Sequence, residues 1–314
     1  MAETTAKRLK TDITIGTHNG HFHADEALAV YMLRLLPAYQ SASLIRTRDP
    51  ALLATCHTVV DVGGEYDATR NLYDHHQRTF TTTFPNRPTK LSSAGLVYMH
   101  FGKAIIAQSL GVEESADEVT ILWNKIYEDF IEALDAHDNG ISAYDTKALQ
   151  AAGIEKRFSD GGFTLGAMVG RLNPNWNDPR PSDPAAWQAI EDEKFSKASS
   201  KIGAEFSSTL SYLTTSGSRR RAPVRTAFSE RLDHDSHGRS LVVDGQSVPG
   251  TEHLYRLESE QGGDSKSGGG AKWRLQAVRE TTDSFESRHP LPEAWRGFRD
   301  EKLDGITGVP GGVF

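Results

Sequence analysis

The sequence predicts an α/β protein: a mostly parallel sheet flanked by helices, followed by a smaller α+β domain. Three observations lead there. Over the first 140 residues, short β-branched runs alternate with helical segments, the pattern of a parallel sheet covered by helices. Acidic residues and histidines fall at or just beyond the ends of those runs, where open α/β sheets bind ligands. The second half changes character: a long helical stretch leads into runs that read as antiparallel strands.

"DITIGTH" (12–18) is the first strand, ending in glycine and polar residues. "ADEALAVYMLRLLP" (24–37) places Ala27, Val30, Tyr31, Leu33 and Leu35 at helical spacing, and Pro37 ends it. "SLIRTR" (43–48) is a strand. "PALLATC" (50–56) is a short helix with Asp49 as its N-cap and Pro50 in its first position. "HTVVDVGG" (57–64) is a strand closed by two glycines, and "RNLYDHH" (70–76) is a fourth. A capped helix follows at 92–110, then one long helix over 116–140 ending in Asn-Gly. The domain boundary falls near 141–160, giving domains of 1–150 and 151–314. Beyond it, 162–174 and 183–213 read as helices. The runs at 239–245, 252–258 and 272–278 read as strands, and "QGGDSKSGGGAK" (261–272) as a flexible hairpin loop. "SRRRAPVR" (218–225) reads as a solvated loop.

Composition narrows the function classes. The 314 residues carry 35 Lys+Arg against 42 Asp+Glu, a net charge of −7. That leaves no broad positive field, so a polyanion would have to be held by local patches or metal ions. The single Cys56 excludes an internal disulfide and a CxxC zinc site. No apolar run approaches the ~18 residues of a membrane span. No apolar leader marks the N-terminus, so the expectation is a protein that is not secreted. "KRLK" (7–10) reads as a solvated tail rather than a nuclear signal.

Five of the 12 histidines lie in two short stretches, "GTHNGHFHADEAL" (16–28) and "YDHHQRTF" (73–80). Four loci could converge on one metal centre: His18, His23 and Asp25; Asp61 at a strand end; Asp74, His75 and His76; and Asp135 with Asp138 at the end of the long helix. A pair of divalent ions is held by carboxylates shared between them, and imidazole with carboxylate suits manganese, iron or zinc. Asp135 and Asp138 share a helix face, so either could be the ligand. Glu26 reads as first-turn helix chemistry, favoured by the dipole, and His21 as incidental. Lys90, Ser92 and Ser93 open a helix whose free N–H groups are candidates to receive a phosphate. Arg288, Trp295, Arg296 and Arg299 combine cations with an aromatic ring, as single-stranded RNA binding does.

The order HxxxxHxD, strand-end Asp, DHH and downstream Asp resembles the DHH phosphoesterase superfamily. "IGTHNGHFHADEALAVYMLRLLP", "VVDVGGEYD", "YDHHQRTF", "KLSSAGLVY", "DAHDNGIS", "RLNPNWN" and "PLPEAWRGFRDEKLD" are similar to the melanocyte-proliferating-gene (Myg) family of 3′→5′ RNA exonucleases, over about 12–314. The resemblance implies a DHH-type catalytic domain holding two divalent ions, most simply Mn²⁺. His18, His23 and Asp61 would hold one, and Asp25, Asp61, His75 and a fourth-motif Asp the other. "Asp138-Asn139-Gly140" fits that fourth motif better than Asp135. Asp74 would orient the DHH turn, and His76 would touch the phosphate. The superfamily usually has Asp where His23 stands, so the cage here carries less negative charge.

The resemblance also implies a single-stranded RNA substrate, 5′-mononucleotide products, a role in RNA processing, and nuclear and mitochondrial compartments. It further implies a glycine-rich, histidine-containing segment after "GVPGGVF" (308–314), which this sequence does not show. Two other functions compete: a small-phosphoester hydrolase or pyrophosphatase, and an inactive regulatory scaffold. Oligomeric state is left open, with a homodimer among the options.

Overall fold

The computed structural model describes residues 13–159, 161–234, 242, 276–281 and 284–310. The chain divides into two compact units, 1–214 and 215–314.

The first unit is the α/β layer the sequence predicts. In chain order it contains β1 (Thr14–Thr17), α1 (Ala24–Leu35), β2 (Ser43–Arg46), α2 (Pro50–Leu53), β3 (Thr58–Val60), β4 (Tyr66–Asp67) and β5 (Leu72–Tyr73). After these come α3 (Ser93–Leu110), α4 (Asp117–Ile126), α5 (Glu132–Asp138), α6 (Thr146–Ala151), α7 (Leu165–Gly170) and α8 (Pro184–Ser211). The strands form one sheet in the order β2-β1-β3-β5-β4. Every pairing is parallel except β4 with β5. The central strand β3 is buried at all three positions, as a strand covered on both faces should be. Asp49 caps α2 as expected, accepting from Ala51 N at 2.8 Å.

Helix α1 is the hub. It packs against α3 and α8, and nine of its residues are buried, Asp25 and Glu26 among them. Its small alanines allow the close approach, and so does Gly203 on α8, where a Cβ would run into the Tyr31 ring. A helix buried nearly all round cannot be read as a single apolar stripe, which is what the sequence suggested. Each large aliphatic side chain buried here is worth roughly 1.5–3 kcal/mol.

The helix expected over 116–140 is continuous but not uniform. A π-helical turn, Tyr127–Ile131, joins α4 to α5. The Tyr127 ring stacks on Phe84 with centroids 3.7 Å apart. The wider turn shifts the phase of the residues after it, Asp135 and Asp138 included.

The second unit contains α9 (Ser218–Ser229), α10 (Arg231–His234), a 3₁₀ turn (Glu293–Trp295) and α11 (Asp300–Thr307). The basic run 218–225 therefore lies in a helix, not a loop. Arginine and alanine are strong helix formers, and charge alone does not separate an exposed helix from a loop. The strands expected at 239–245 and 252–258 fall outside the described residues, but for an isolated position 242, and so does most of the loop and strand over 261–278.

Candidate metal centre

Three parallel strands deliver the site from their carboxyl ends. β1 runs into His18, β3 into Asp61 and β5 into Asp74, His75 and His76. At Asp61 the backbone turns into the left-handed region, φ 57°, while its N–H still donates to Tyr73 O at 3.1 Å. Asp tolerates that conformation better than most residues. Gly63 and Gly64, also at positive φ, complete the turn. Gly64 N donates to Asp74 Oδ2 at 2.6 Å, and His76 N donates to Asp74 Oδ1 at 3.0 Å. Asp74 thus braces the turn carrying the two histidines.

The donors gather in three linked groups, each with ligand atoms within 4.8 Å of one another: His18, His23, Glu26 and Asp61; Asp61, His75 and His76; Asp25, His75 and Asp138. Asp61 joins the first to the second, and His75 the second to the third. Asp61 Oδ2 lies 3.4 Å from His18 Nε2, while Oδ1 lies 3.5 Å from His75 Nε2 and 3.4 Å from His76 Nδ1. One carboxylate therefore faces both sides of the centre. His75 Nε2 stands 3.0 Å from Asp138 Oδ2 and 3.9 Å from Asp25 Oδ2. Both its ring nitrogens are buried without a well-formed hydrogen bond. A buried imidazole without hydrogen bonds, facing several carboxylates, is the donor set a divalent cation satisfies.

Glu26 is the residue the sequence reading did not place here. It is wholly buried, its Oε1 lies 3.2 Å from His18 Nε2, and it accepts from His23 N at 2.9 Å. The capping-box spacing explains the second contact. The first depends on β1 delivering His18 beside the start of α1. His21 is exposed and belongs to none of the three groups; its ring packs edge-on to His23.

The start of α3 is engaged rather than open. Ser93 N and Ala94 N donate to the Asp25 carboxylate at 3.0 and 2.6 Å, and Ser92 N donates to Asp135 Oδ1 at 2.9 Å. Ser92 and Ser93, expected to offer a phosphate site, are fully buried, and protein carboxylates take the helix end. Asp135 turns away from the histidines. Its Oδ1 also meets the Ser92 hydroxyl and its Oδ2 accepts from Tyr127 at 2.9 Å, so of the two helix-end carboxylates it is Asp138 that faces His75. Lys90 is half-buried with its ammonium over the Phe80 ring, 5.5 Å from the centroid. Arg288, Trp295, Arg296 and Arg299 belong to the second unit, where Trp295 is half-buried in the 3₁₀ turn and Arg296 Nε donates to Leu291 O.

The electrostatics follow from crowding acids and imidazoles out of water. Burial lowers His18 and His75, but the carboxylates beside them, Asp61 and Glu26 for one and Asp138 and Asp61 for the other, outweigh it and raise both to about 10. Burial raises Asp61, yet His18 and His75 hold it below the usual carboxylate range. Burial and the charges of Asp61 and Asp138 push Asp25 well up. Protons and neighbouring charges here balance what a cation would balance.

Comparison with known proteins adds the family. A family model described as "Uncharacterised protein family (UPF0160)", labelled for the MYG1 exonucleases, matches residues 14–314. This chain belongs to the MYG1 exonuclease family. It is 46% identical over 312 residues to MYG1 exonuclease of Rattus norvegicus, covering 96% of this chain and 78% of that protein. It is 45% identical over 320 residues to the Homo sapiens MYG1 exonuclease, covering 96% and 79%. It is 39% identical over 307 residues to a MYG1 protein of Saccharomyces cerevisiae, covering 96% and 88%. No solved structure matches. The Rattus norvegicus and Homo sapiens relatives bear the name MYG1 exonuclease, and this family member is a hydrolase of the nuclease kind whose His/Asp clusters have the composition of a metal site. Among the described residues no helix is long and apolar enough to cross a membrane.

Proposed function

We propose that the protein is a two-metal 3′→5′ exoribonuclease that shortens single-stranded RNA to 5′-mononucleotides. The observation that carries this reading is the sharing of Asp61 between two donor groups, the arrangement a bridged pair of ions requires. His18, His23, Glu26 and Asp61 would hold one ion, and Asp25, Asp61, His75 and Asp138 the other. Manganese suits this mixture of imidazole and carboxylate. When bound, such a pair lowers the pKa of coordinated water and offsets charge developing on a phosphodiester.

The chain's own residues do the rest. The His76 side chain is 62% exposed, with Nδ1 held 2.7 Å from Asp74 Oδ1, so its outer nitrogen is free to turn to a phosphate oxygen. Asp74 also raises the His76 pKa, which favours the donating form. Lys90 supplies a fixed positive charge, and Arg288, Trp295, Arg296 and Arg299 supply the second unit's contacts to RNA. The names of its relatives support the exonuclease part. Polarity, sugar preference, and action in RNA processing in the nucleus and mitochondrion belong to this proposal.

The test is digestion of end-labelled RNA and DNA oligomers, with either terminus blocked, in added Mn²⁺. Mononucleotides released from a free 3′ end of RNA are expected. Release of phosphate from pyrophosphate with no oligomer cleavage would replace this reading with the small-phosphoester one. No hydrolysis and no bound metal would favour a scaffold.

A further inference from the structure

Two aromatic side chains in the first unit are almost wholly in water: Phe163 and Trp176, each 97% exposed. They flank α7, and α7 is tied to both halves of the metal centre. At its start, Gly166 lies against the His137 ring, where a Cβ would approach Cε1 to 2.8 Å; His137 is the neighbour of Asp138. Just past its end, the Asn173 side chain accepts from Phe22 N at 2.9 Å and donates to Phe22 O at 2.8 Å. Phe22 precedes His23. The amide of Asn173, three residues before Trp176, therefore fixes the backbone of the histidine loop.

The turn carrying Trp176 is braced. Asn175 N donates to Asp178 Oδ2 at 2.9 Å, Asp178 N donates to Asn175 O at 3.1 Å, and Lys194 of α8 holds Asp178 at 3.2 Å. On the other flank, Arg171 donates to Gly162 O at 3.1 Å, closing the segment before Phe163 onto the end of α7. Each ring is thus held out from a hydrogen-bonded turn, with its faces open to solvent.

The surroundings identify the occupant. A protein partner needs a contiguous apolar patch with a polar rim. The residues next to each ring in the chain are polar or small, Asn175 and Asn177 beside Trp176 and Gly162 and Thr164 beside Phe163, so neither turn supplies such a patch by itself. An unpaired nucleobase needs one aromatic face at a fixed position, with the phosphate held elsewhere. We propose that Trp176, assisted by Phe163, stacks the bases of a single-stranded oligonucleotide whose scissile phosphodiester lies at the metal centre. This rests on the nuclease reading above.

The test compares a base-bearing oligomer with one carrying tetrahydrofuran (abasic) residues near its 3′ end. Loss of a base–aromatic stack typically weakens binding roughly 5- to 100-fold. Wild type should therefore show a KM for the abasic oligomer about 10-fold above that for the base-bearing one. In Trp176→Ala that ratio should fall towards one, with a smaller fall in Phe163→Ala. A ratio that stays at the wild-type value in both variants overturns the proposal. Anisotropy of the labelled oligomers in EDTA separates the two readings. Wild type that cleaves neither oligomer sinks the nuclease reading, while the platform still stands or falls on whether Trp176→Ala abolishes the preference for the base-bearing oligomer. Light scattering that finds a wild-type dimer dissociated by Trp176→Ala, with the base preference intact, would assign the ring to a second copy and overturn the proposal.

Discussion

The Ser92 hydroxyl lies 2.7 Å from Asp135 Oδ1 and 2.5 Å from Asp25 Oδ1, one hydroxyl between two buried carboxylates. A single hydroxyl hydrogen cannot serve both as a donor, so the arrangement is best satisfied when one acid carries a proton. Burial pushes Asp135 up to about 7, despite the hydrogen bonds it accepts from Ser92 and Tyr127. Near neutral pH it is therefore protonated for a large part of the time, and it links the start of α3 to α5.

Asp135→Asn should keep the fold and the site, since the amide copies the protonated acid in shape. Asp135→Ala leaves Ser92 N–H and Tyr127 O–H without partners and should cost about 2–4 kcal/mol, read from urea midpoints. The pH dependence has a fixed sign. The folded pKa lies above the unfolded one, so the native state binds the extra proton. The stability this group contributes is present at low pH and is lost as pH rises through about 7. Wild type should lose up to about 4 kcal/mol relative to Asp135→Asn between pH 4 and pH 8. A flat difference between the two proteins over that range would refute the assignment.

Asp61→Asn keeps a side chain that tolerates the left-handed backbone but removes the charge shared by the donor groups. Hydrolysis of an oligomer should fall by about 10²–10³-fold or more. The melting temperature should stay within a few degrees of wild type when both are measured in EDTA. Full activity in this variant would end the bridging role.

Metal should stabilise the folded protein by mass action, because the centre gathers carboxylates from α1, β3 and α5 that exist together only in the native state. At Mn²⁺ a hundredfold above its dissociation constant, the gain is about 2.7 kcal/mol. Differential scanning fluorimetry with and without Mn²⁺ reads it, and Asp61→Asn should lose most of the shift. An equal shift in both proteins would place the ion elsewhere.

Gly95→Ala tests the packing behind the site. A Cβ at Gly95 would run into the Asp135 carboxylate, and one at Gly203 into the Tyr31 ring. Both substitutions overpack, by about 1–3 kcal/mol. Gly95→Ala alone should also weaken Mn²⁺ binding, measured by isothermal titration, since it displaces the acid that holds Ser92 against Asp25. Equal metal affinity in the two variants would mean that the Asp135–Ser92 link does not reach the ligands.

The sequence by itself determined the alternation of strands and helices, because β-branched runs, helical spacing and caps such as Asp49 and Ser92 are local signals. It also pointed to His18, His23, Asp25, Asp61, His75 and His76, because histidines and acids at the ends of parallel strands meet at one edge of the sheet. The family blocks run along nearly the whole chain, so membership was legible as well.

Only the tertiary structure decided which partner each charged group faces. Asp135 and Asp138 share a helix face, and the choice between them depended on where α5 meets α3 and the DHH turn. Glu26 looked like a capping residue and is one, but β1 also brings His18 against it. Ser92 and Ser93 looked open to a phosphate until α1 delivered Asp25 to the same N–H groups. Local sequence encodes caps and periods through neighbours a few residues away. Contacts such as His75 with Asp138, 63 positions apart, depend on how separate elements pack, and that is set by the whole core at once.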